Sequence, residues 1–345
     1  MRSRRTGFVS GALAVSLIII SHINGAASHT GEAALLRAPE SPGQSRRGDN
    51  GNAGVAAQGD QRGSDAGRDV RASVPRPVSF REVGGRGLLV RAWVNGEGPY
   101  SFAVDTGAGA TILSRRVAAE ARVGVDGGRA LEIGGLSGAS VRTARRAHLR
   151  SLAIGESANL LPANGLAIVA EGLPPDVDGI LDPTEAFSPL GYVIDLPRGQ
   201  LRAFNPRLEP LRRDQETPDG TVVAWLTDSE SRRPFVMLAG GRRALLDTGS
   251  SFGLAVTESS ARAIGINTEG QRERGGVRDI AGGEVRARRL RPATVYVGSL
   301  ALRGVPTDLL FGAEATAPVL LGRDALRPFQ LTFDPLNRLI RIRAL

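Results

Sequence analysis

Short apolar runs that alternate with polar residues extend from about residue 78 to the C-terminus, and glycine-rich turns separate them. The segment LLVRAWVNGEGPYSFAVDTG, residues 88–107, is typical, and it predicts two strands joined by a turn. The helical segments between such runs are brief. The pattern therefore predicts an all-β architecture with small helices.

The same order of elements occurs twice along the chain. Each half begins with a strand pair and continues with an apolar strand and a short helix, in ATILSRRVAAEARV (110–123) and in GLAVTESSARAIGI (253–266). Ser114 and Thr257 stand where the N-caps of these helices are expected. A glycine-rich hairpin, a buried apolar pair and a closing strand follow in each half. The corresponding later positions are Ile180-Leu181 and Leu320-Leu321, then Asp195 and Asp334. We predict two lobes of one duplicated design, lobe one over 78–211 and lobe two over 212–345.

The N-terminus has the composition of an export signal. Arginines at positions 2, 4 and 5 precede an apolar run from about Phe8 to Ile20, and small residues follow as far as Ala27. This is the order of a secretory signal, and the run is shorter than the roughly 20 residues that span a membrane. We predict a signal peptide over 1–27, with an uncleaved N-terminal anchor as the alternative. Either outcome exports the protein to the periplasm or cell envelope, or secretes it.

Residues 28–77 are mostly Gly, Ser, Ala, Arg, Asp and Pro. Such a segment cannot bury enough apolar surface to offset its ordering entropy, so we predict a disordered linker.

Composition removes several kinds of chemistry. The 345 residues include no cysteine, which excludes disulfides, thiolate nucleophiles and cysteine zinc sites. All 44 basic residues are arginine, and they are interleaved with acidic residues at a net charge of +9. No basic stripe with interleaved aromatics occurs, so we expect no nucleic-acid binding. His148 is the one histidine beyond the N-terminal region, and we expect a half-buried or solvated strand residue there. Serine-histidine and zinc hydrolase sites need more than this, which leaves carboxylates as candidates.

Two carboxylates stand in matching surroundings. Asp105-Thr106-Gly107 lies in AVDTGA and Asp247-Thr248-Gly249 lies in LLDTGS, each directly after apolar residues. An isolated buried carboxylate is costly, so each should carry a partner or a proton. With the later apolar pairs of GIL and LLG, this arrangement resembles the aspartic proteases of the pepsin and retropepsin type, in the single-chain, two-lobe form found in bacteria. The resemblance covers about residues 78–345.

The resemblance implies the two-lobe acid-protease fold and an aspartic endopeptidase. Asp105 and Asp247 would be the catalytic pair, sharing one proton and activating a water. The residues that would support the two catalytic loops are Thr106, Gly107, Thr248, Gly249 and Ser250. The hairpin over 131–143 would be the flap that covers substrate, through Gly134, Gly135, Leu136 and Ser137. The hairpin of lobe two, over 277–285, would have a similar place. No metal or organic cofactor is implied. The expected partner is a protein or peptide substrate, the protein would be a monomer, and membrane contact would come only from an N-terminal anchor.

Two positions depart from the family pattern. Asp182 in GILDPTEAF occupies the place of Gly322 in VLLGRDAL, and the flap segment IGGLSGAS has no aromatic residue. Asp182 would either distort lobe one or add a third carboxylate near the pair. These departures motivate an alternative, a catalytically inactive peptide-binding module in the cell envelope. A structural envelope protein that assembles through its β repeat is a further alternative.

Overall fold

The computed structural model describes residues 19–21, 74–128, 130–136, 141–162, 165–174, 176–214, 218–227, 232–269, 272–278, 283–313 and 317–345. The predicted signal peptide and the predicted linker therefore lie almost wholly outside the described residues, as does Ser137 of the predicted flap. Among the residues described, no helix is long and apolar enough to cross a membrane.

Strands dominate this part of the chain, which confirms the predicted all-β class. The helices are α1 (Arg115–Glu120), α2 (Pro183–Ala186), α3 (Glu258–Ala263) and α4 (Arg323–Leu326). The strands before residue 212 are β1 (Ile19–Ser21), β2 (Val78–Ser79), β3 (Arg81–Val83), β4 (Gly87–Val94), β5 (Glu97–Val104), β6 (Ile112–Ser114), β7 (Gly124–Val125), β8 (Leu131–Gly134), β9 (Val141–His148), β10 (Leu152–Ile154), β11 (Leu166–Ala170), β12 (Gly179–Leu181), β13 (Gly191–Asp195) and β14 (Gln200–Phe204). The later strands are β15 (Gly220–Ala224), β16 (Phe235–Met237), β17 (Arg243–Asp247), β18 (Leu254–Val256), β19 (Arg272–Arg278), β20 (Glu284–Arg289), β21 (Ala293–Val297), β22 (Leu300–Val305), β23 (Thr307–Phe311), β24 (Val319–Gly322), β25 (Phe329–Asp334) and β26 (Leu339–Ala344).

The two halves repeat one strand arrangement, as the sequence predicts. In lobe one β12 lies between β5, to which it is parallel, and β6, to which it is antiparallel. In lobe two β24 lies in the same way between β17 and β18. Ile180 pairs with Ala103 and Leu320 pairs with Leu245, so the two apolar pairs occupy equivalent positions. The tandem-lobe fold is thereby confirmed.

A six-stranded sheet joins the lobes, in the order β15-β26-β25-β13-β14-β2. Tyr192 and Phe333, on β13 and β25, stack at 4.6 Å between ring centroids and are fully buried. Asp195 and Asp334 end these two strands, and each carboxylate accepts a hydrogen bond from the amide three residues later. The predicted correspondence of these aspartates is confirmed. The halves thus contribute equivalent strands to one shared element.

Local signals start the helices where the sequence predicts. Ser114 Oγ accepts a hydrogen bond from the Val117 amide at 3.2 Å, and Thr257 Oγ1 accepts one from the Ser260 amide at 3.3 Å. Each bond satisfies an amide that has no partner within its helix.

Two further observations concern single segments. Strand β1, which falls within the predicted signal peptide, is antiparallel to β8 and pairs Ile19 with Gly134.

His148 ends β9 with an exposed side chain, and its Nε2 lies 3.3 Å from Asp126 Oδ1. The expectation of a solvated strand histidine is confirmed.

Candidate active site

Asp105 and Asp247 stand at equivalent strand ends. Asp105 follows β5 directly and its amide donates to the Leu181 carbonyl at 3.0 Å, while Asp247 is the last residue of β17. Both side chains are fully buried. The strands bring each carboxylate to the boundary between the lobes.

The glycines of the two loops show how closely the lobes approach. A Cβ atom built on Gly249 would lie 2.3 Å from Asp105 Cγ, and one built on Gly107 would lie 2.8 Å from Asp247 Cγ. Real Cβ contacts are not this short, so only glycine fits at either position. Each carboxylate therefore lies against the loop of the opposite lobe.

The threonines of the two loops hold this arrangement through crossed hydrogen bonds. The Thr106 amide donates to Thr248 Oγ1 at 3.2 Å, and the Thr248 amide donates to Thr106 Oγ1 at 3.0 Å. The two hydroxyls donate in turn to carbonyls of the opposite lobe, Thr106 to Leu246 at 2.5 Å and Thr248 to Val104 at 3.1 Å. All four bonds are buried and join residues about 140 positions apart. The structure thus gives both threonines the cross-lobe contacts that the resemblance implies.

Burial and the interaction between the two carboxyl groups shift the pKa values of the pair. Burial, and then the neighbouring Asp247 carboxylate, raise the pKa of Asp105 well above its usual range. Burial also raises the pKa of Asp247, to about 6, against the opposing effects of the Ser250 amide, Asp105 and Arg323. Two adjacent carboxylates in a dry site cannot both ionise easily. The pair therefore shares one proton over a range of pH, and the opposing contacts of Asp247 favour Asp247 as the ionised member.

The difference between the pKa values of the two carboxyl groups has a different structural origin from the one that the sequence suggests. By sequence, the Ser250 side chain can hydrogen-bond Asp247, whereas Ala108 cannot do so for Asp105. In the structure the Ser250 amide donates to Asp247 Oδ1 at 3.0 Å, and the Ser250 hydroxyl accepts from the Phe252 amide at 3.3 Å. Asp105 Oδ1 accepts from the Gly107 amide at 2.8 Å. The Oδ2 atoms of both aspartates are buried and have no hydrogen-bond partner in the described part of the protein.

Family models match both halves around this pair. Residues 90–181 match a family described as aspartyl protease, and residues 241–328 match one described as gag-polyprotein putative aspartyl protease. Both halves belong to retropepsin-like aspartyl protease families. The two matches contain Asp105 and Asp247 respectively. No curated protein matches the chain.

Arg323 supports the second retropepsin-like loop and was missed by the sequence analysis. Its side chain is 3% exposed, and Nη1 donates to the carbonyls of Thr248 at 2.6 Å and Gly249 at 2.8 Å. Its Nε lies 3.4 Å from Glu82 Oε1. The charge of this guanidinium lowers the pKa of Asp247. Lobe one has Pro183 after Asp182, so this support exists on one side only. The sequence does place Arg323 directly after Gly322, but a single arginine among 44 basic residues carries no distinguishing pattern.

Asp182 is buried and adds a third carboxyl group near the pair, which was one of the two expectations for this position. It caps helix α2 by accepting a hydrogen bond from the Thr184 amide at 2.9 Å, and its own amide donates to Thr111 Oγ1 at 3.3 Å. Burial, and then Glu185, raise the pKa of Asp182 to about 7, and its charge raises the pKa of Asp105. The crossed threonine bonds are present beside it. At the equivalent position of lobe two, a Cβ on Gly322 would lie 2.4 Å from the Phe252 carbonyl oxygen. Glycine is therefore needed in lobe two, whereas lobe one accommodates the side chain of Asp182.

The hairpin of lobe one reaches lobe two through Leu136. Gly134 ends β8, Gly135 follows, and Leu136 is 2% exposed. Leu136 belongs to an apolar cluster whose other members all come from lobe two: Phe235, Leu245, Phe252, Ala255, Val285, Ala287, Leu310 and Leu320. Phe252 follows the Asp247 loop, and Val285 lies on the hairpin of lobe two. A leucine thus provides the apolar contact at the tip, where the sequence offers no aromatic residue.

Proposed function

We propose that the protein is an aspartic endopeptidase that hydrolyses peptide bonds with a water activated by Asp105 and Asp247. The observation that carries the proposal is the cross-lobe contact of two fully buried carboxylates, each pressed against the glycine of the opposite loop. The membership of both halves in aspartyl protease families supports it.

The two aspartates have different roles in this proposal. Asp247, whose carboxylate ionises first, takes a proton from a water bound between the Oδ2 atoms, and the water attacks the peptide carbonyl carbon. Asp105, which retains its proton, donates it to the developing oxyanion. As the tetrahedral intermediate collapses the C–N bond breaks, Asp247 donates the proton it took from the water to the leaving nitrogen, and Asp105 takes a proton back from a hydroxyl of the intermediate. The fixed threonine and glycine loops keep both carboxyl groups in position throughout.

We further propose that the substrate is an extended stretch of protein or peptide. Its main chain would pair with the hairpin of lobe one, as extended peptides pair with exposed strands. Leu136 holds this hairpin toward lobe two. The protein would work as a monomer, because one chain supplies both carboxylates. Export to the periplasm or envelope is proposed on the N-terminal sequence alone.

A peptide-pool cleavage assay between pH 3 and pH 7 tests the proposed reaction. We expect cleavage by the wild-type protein and a loss of at least about 10³-fold in kcat for Asp105→Asn and Asp247→Asn, because each removes one member of the proton-transfer pair. Asp324→Asn, on the first turn of α4, is the matched control and should retain activity. Cleavage that survives both pair substitutions would contradict the proposal.

The same assay distinguishes the inactive binding module. That alternative predicts no cleavage by the wild-type protein and retention of bound peptides. Its motivation was distortion by Asp182, whereas Asp182 forms an ordinary helix cap beside intact cross-lobe bonds.

A further inference from the structure

The sheet that the two lobes share has one face in the core and one face turned away from it. Ile340 on β26 and Leu201 on β14 are fully buried members of the main core. Side chains alternate along a strand, so Arg341, Arg343 and Arg202 lie on the opposite face. All three are partly buried.

The strand register places these arginines around an uncharged patch of the sheet formed by Thr332 and Val193. Arg341 is opposite Thr332, Thr332 is opposite Val193, and Val193 is opposite Arg202. Residues directly opposite each other share a face of the sheet. The Cα atoms of Arg341 and Arg202 are thus three strand spacings apart, about 14 Å. Arg343 lies two residues beyond Arg341 on the same face.

The long side chains converge over this patch. Val193 is fully buried although it lies outside the apolar core clusters, and we attribute its burial to the arginine stems beside it. Nη2 of Arg341 donates to Thr332 Oγ1 at 3.5 Å. Burial lowers the pKa of Arg341, and the charges of Arg343 and Arg202 lower it further.

The charges of this cluster are not balanced by carboxylates. No acidic side chain among the described residues forms an ion pair with any of the three arginines, and Nε of Arg341 is buried with no hydrogen-bond partner there. Two carboxylates lie on the same face, and both are engaged elsewhere. Asp195 is held by Arg198 at 3.1 Å and by Gln330 at 2.8 Å, and Asp334 accepts hydrogen bonds from the amides of Leu211 and Asn337, each at 2.9 Å. Like charges gathered without a counter-charge are unfavourable, and so is a buried unpaired donor. A bound anion would relieve both.

We infer that Arg202, Arg341 and Arg343 form an oxyanion site on the outer face of the shared sheet, and that its ligand is a phosphate group. Guanidinium groups match the oxygens of phosphate geometrically and donate charge-assisted hydrogen bonds. Three cations that converge on an uncharged floor of Thr332 and Val193 suit a compact anion with several charges. The site is separate from the carboxyl pair, since its three arginines lie on β14 and β26 and not in the Asp-Thr-Gly loops.

Calorimetric titration of the full chain with pyrophosphate, in a phosphate-free buffer, tests the site. We expect saturable binding that raises the midpoint of thermal unfolding. Arg202→Gln and Arg343→Gln should each weaken the affinity about tenfold, the usual effect of removing a charge-assisted hydrogen bond. Arg341→Lys keeps the charge but loses the planar fork, and it should weaken binding in the same direction. Arg202→Gln and Arg343→Gln leave Arg341, with its buried Nε, unchanged. The test therefore does not depend on the folding of the Arg341 variant.

Arg303→Gln is the matched control, since it removes the same charge from an exposed arginine on β22. Its affinity for pyrophosphate should change less than twofold. Absence of saturable binding, or equal weakening in the control and the cluster variants, would overturn the site.

Flotation with vesicles identifies the source of the phosphate group. Binding to phosphatidylglycerol vesicles that pyrophosphate competes away, and that Arg202→Gln abolishes, would assign a lipid headgroup. Pyrophosphate binding without flotation would assign a free phosphate compound. Flotation that Arg202→Gln leaves unchanged, together with no pyrophosphate binding, would refute the proposal.

Discussion

At the scale of single residues, the site depends on contacts that each carboxylate makes with the opposite lobe. The sequence could identify Asp105, Asp247 and their glycines, because the loops are repeated and the chemistry limits the residue types. It could not identify the guanidinium of Arg323 behind one loop, since that contact depends on how α4 packs. The sequence also could not identify Thr111, whose hydroxyl accepts a hydrogen bond from the Asp182 amide, because the two residues are distant along the chain.

Replacing Asp182 by asparagine should change how stability depends on pH. The pKa of Asp182 is raised from 3.8 to about 7 in the folded protein. Between these values the unfolded carboxyl group ionises while the folded one keeps its proton, so stability falls as pH rises through this window. Asp182→Asn keeps the acceptor for Thr184 and removes this penalty. At pH 8 we expect a gain on the order of 2–4 kcal/mol in unfolding free energy, with little difference near pH 3.

Urea unfolding across the pH range measures this effect, and the pH profile of kcat/KM adds a second readout. The charge of Asp182 raises the pKa of Asp105, so Asp182→Asn should move the alkaline limb of the profile to lower pH. A stability difference that stays constant from pH 3 to pH 8 would contradict the assigned titration.

Gly249→Ala should nearly abolish activity. The added Cβ would lie 2.3 Å from Asp105 Cγ, so the catalytic loops would have to move apart. Single-turnover cleavage and thermal unfolding would measure the loss of activity and any loss of stability. Gly84→Ala is the control, because a Cβ there would meet nothing within 4 Å. Equal activity in the two variants would show that the loops are not as close as described.

At the scale of secondary structure, alternation and turn signals predicted the hairpins, and hydroxyl side chains predicted where α1 and α3 begin. These features depend on local sequence. The seating of the lobe-one hairpin was beyond such signals, because Leu136 contacts residues more than 90 positions away in the chain. The pairing of β1 with β8 was also beyond such signals, because it is a long-range contact.

Leu136→Ala should loosen the contact between the hairpin and lobe two. Truncating a buried leucine costs about 2–5 kcal/mol where the surroundings cannot relax, and here the cost falls on hairpin closure. We expect KM for an extended peptide to rise by at least about tenfold, with global stability changed less than closure. Leu136→Met conserves volume and serves as the control. Identical steady-state kinetics for all three proteins would show that this leucine has no part in substrate binding.

At the scale of the whole molecule, the shared sheet makes the lobes depend on each other. Strand β13 of lobe one pairs over four residues with β25 of lobe two, and β14 and β26 extend the sheet on either side of this pair. The sequence predicted two repeats but not this pairing across the lobe boundary, since strand order across a sheet depends on packing between distant segments.

Lobe one expressed without lobe two should be inactive and prone to association. Removing residues after 211 leaves β13 without β25, which exposes a sheet edge, and it also removes Asp247. Size-exclusion chromatography should show self-association, and a peptide assay should show no cleavage. Mixing the separate lobes should restore little activity, because one chain supplies an effective concentration that separate halves lack. A monomeric, active lobe one would contradict the two-lobe site.

The crossed bonds between the loops also constrain how the two copies of this repeat can diverge. Asp, Thr and Gly, which touch the other copy, are identical in both. Residues that face only their own copy have drifted apart, as in Ala108 against Ser250 and Asp182 against Gly322. A substitution in either loop therefore disturbs contacts of both lobes at once, so these three positions cannot differ between the copies without loss of the cross-lobe contacts.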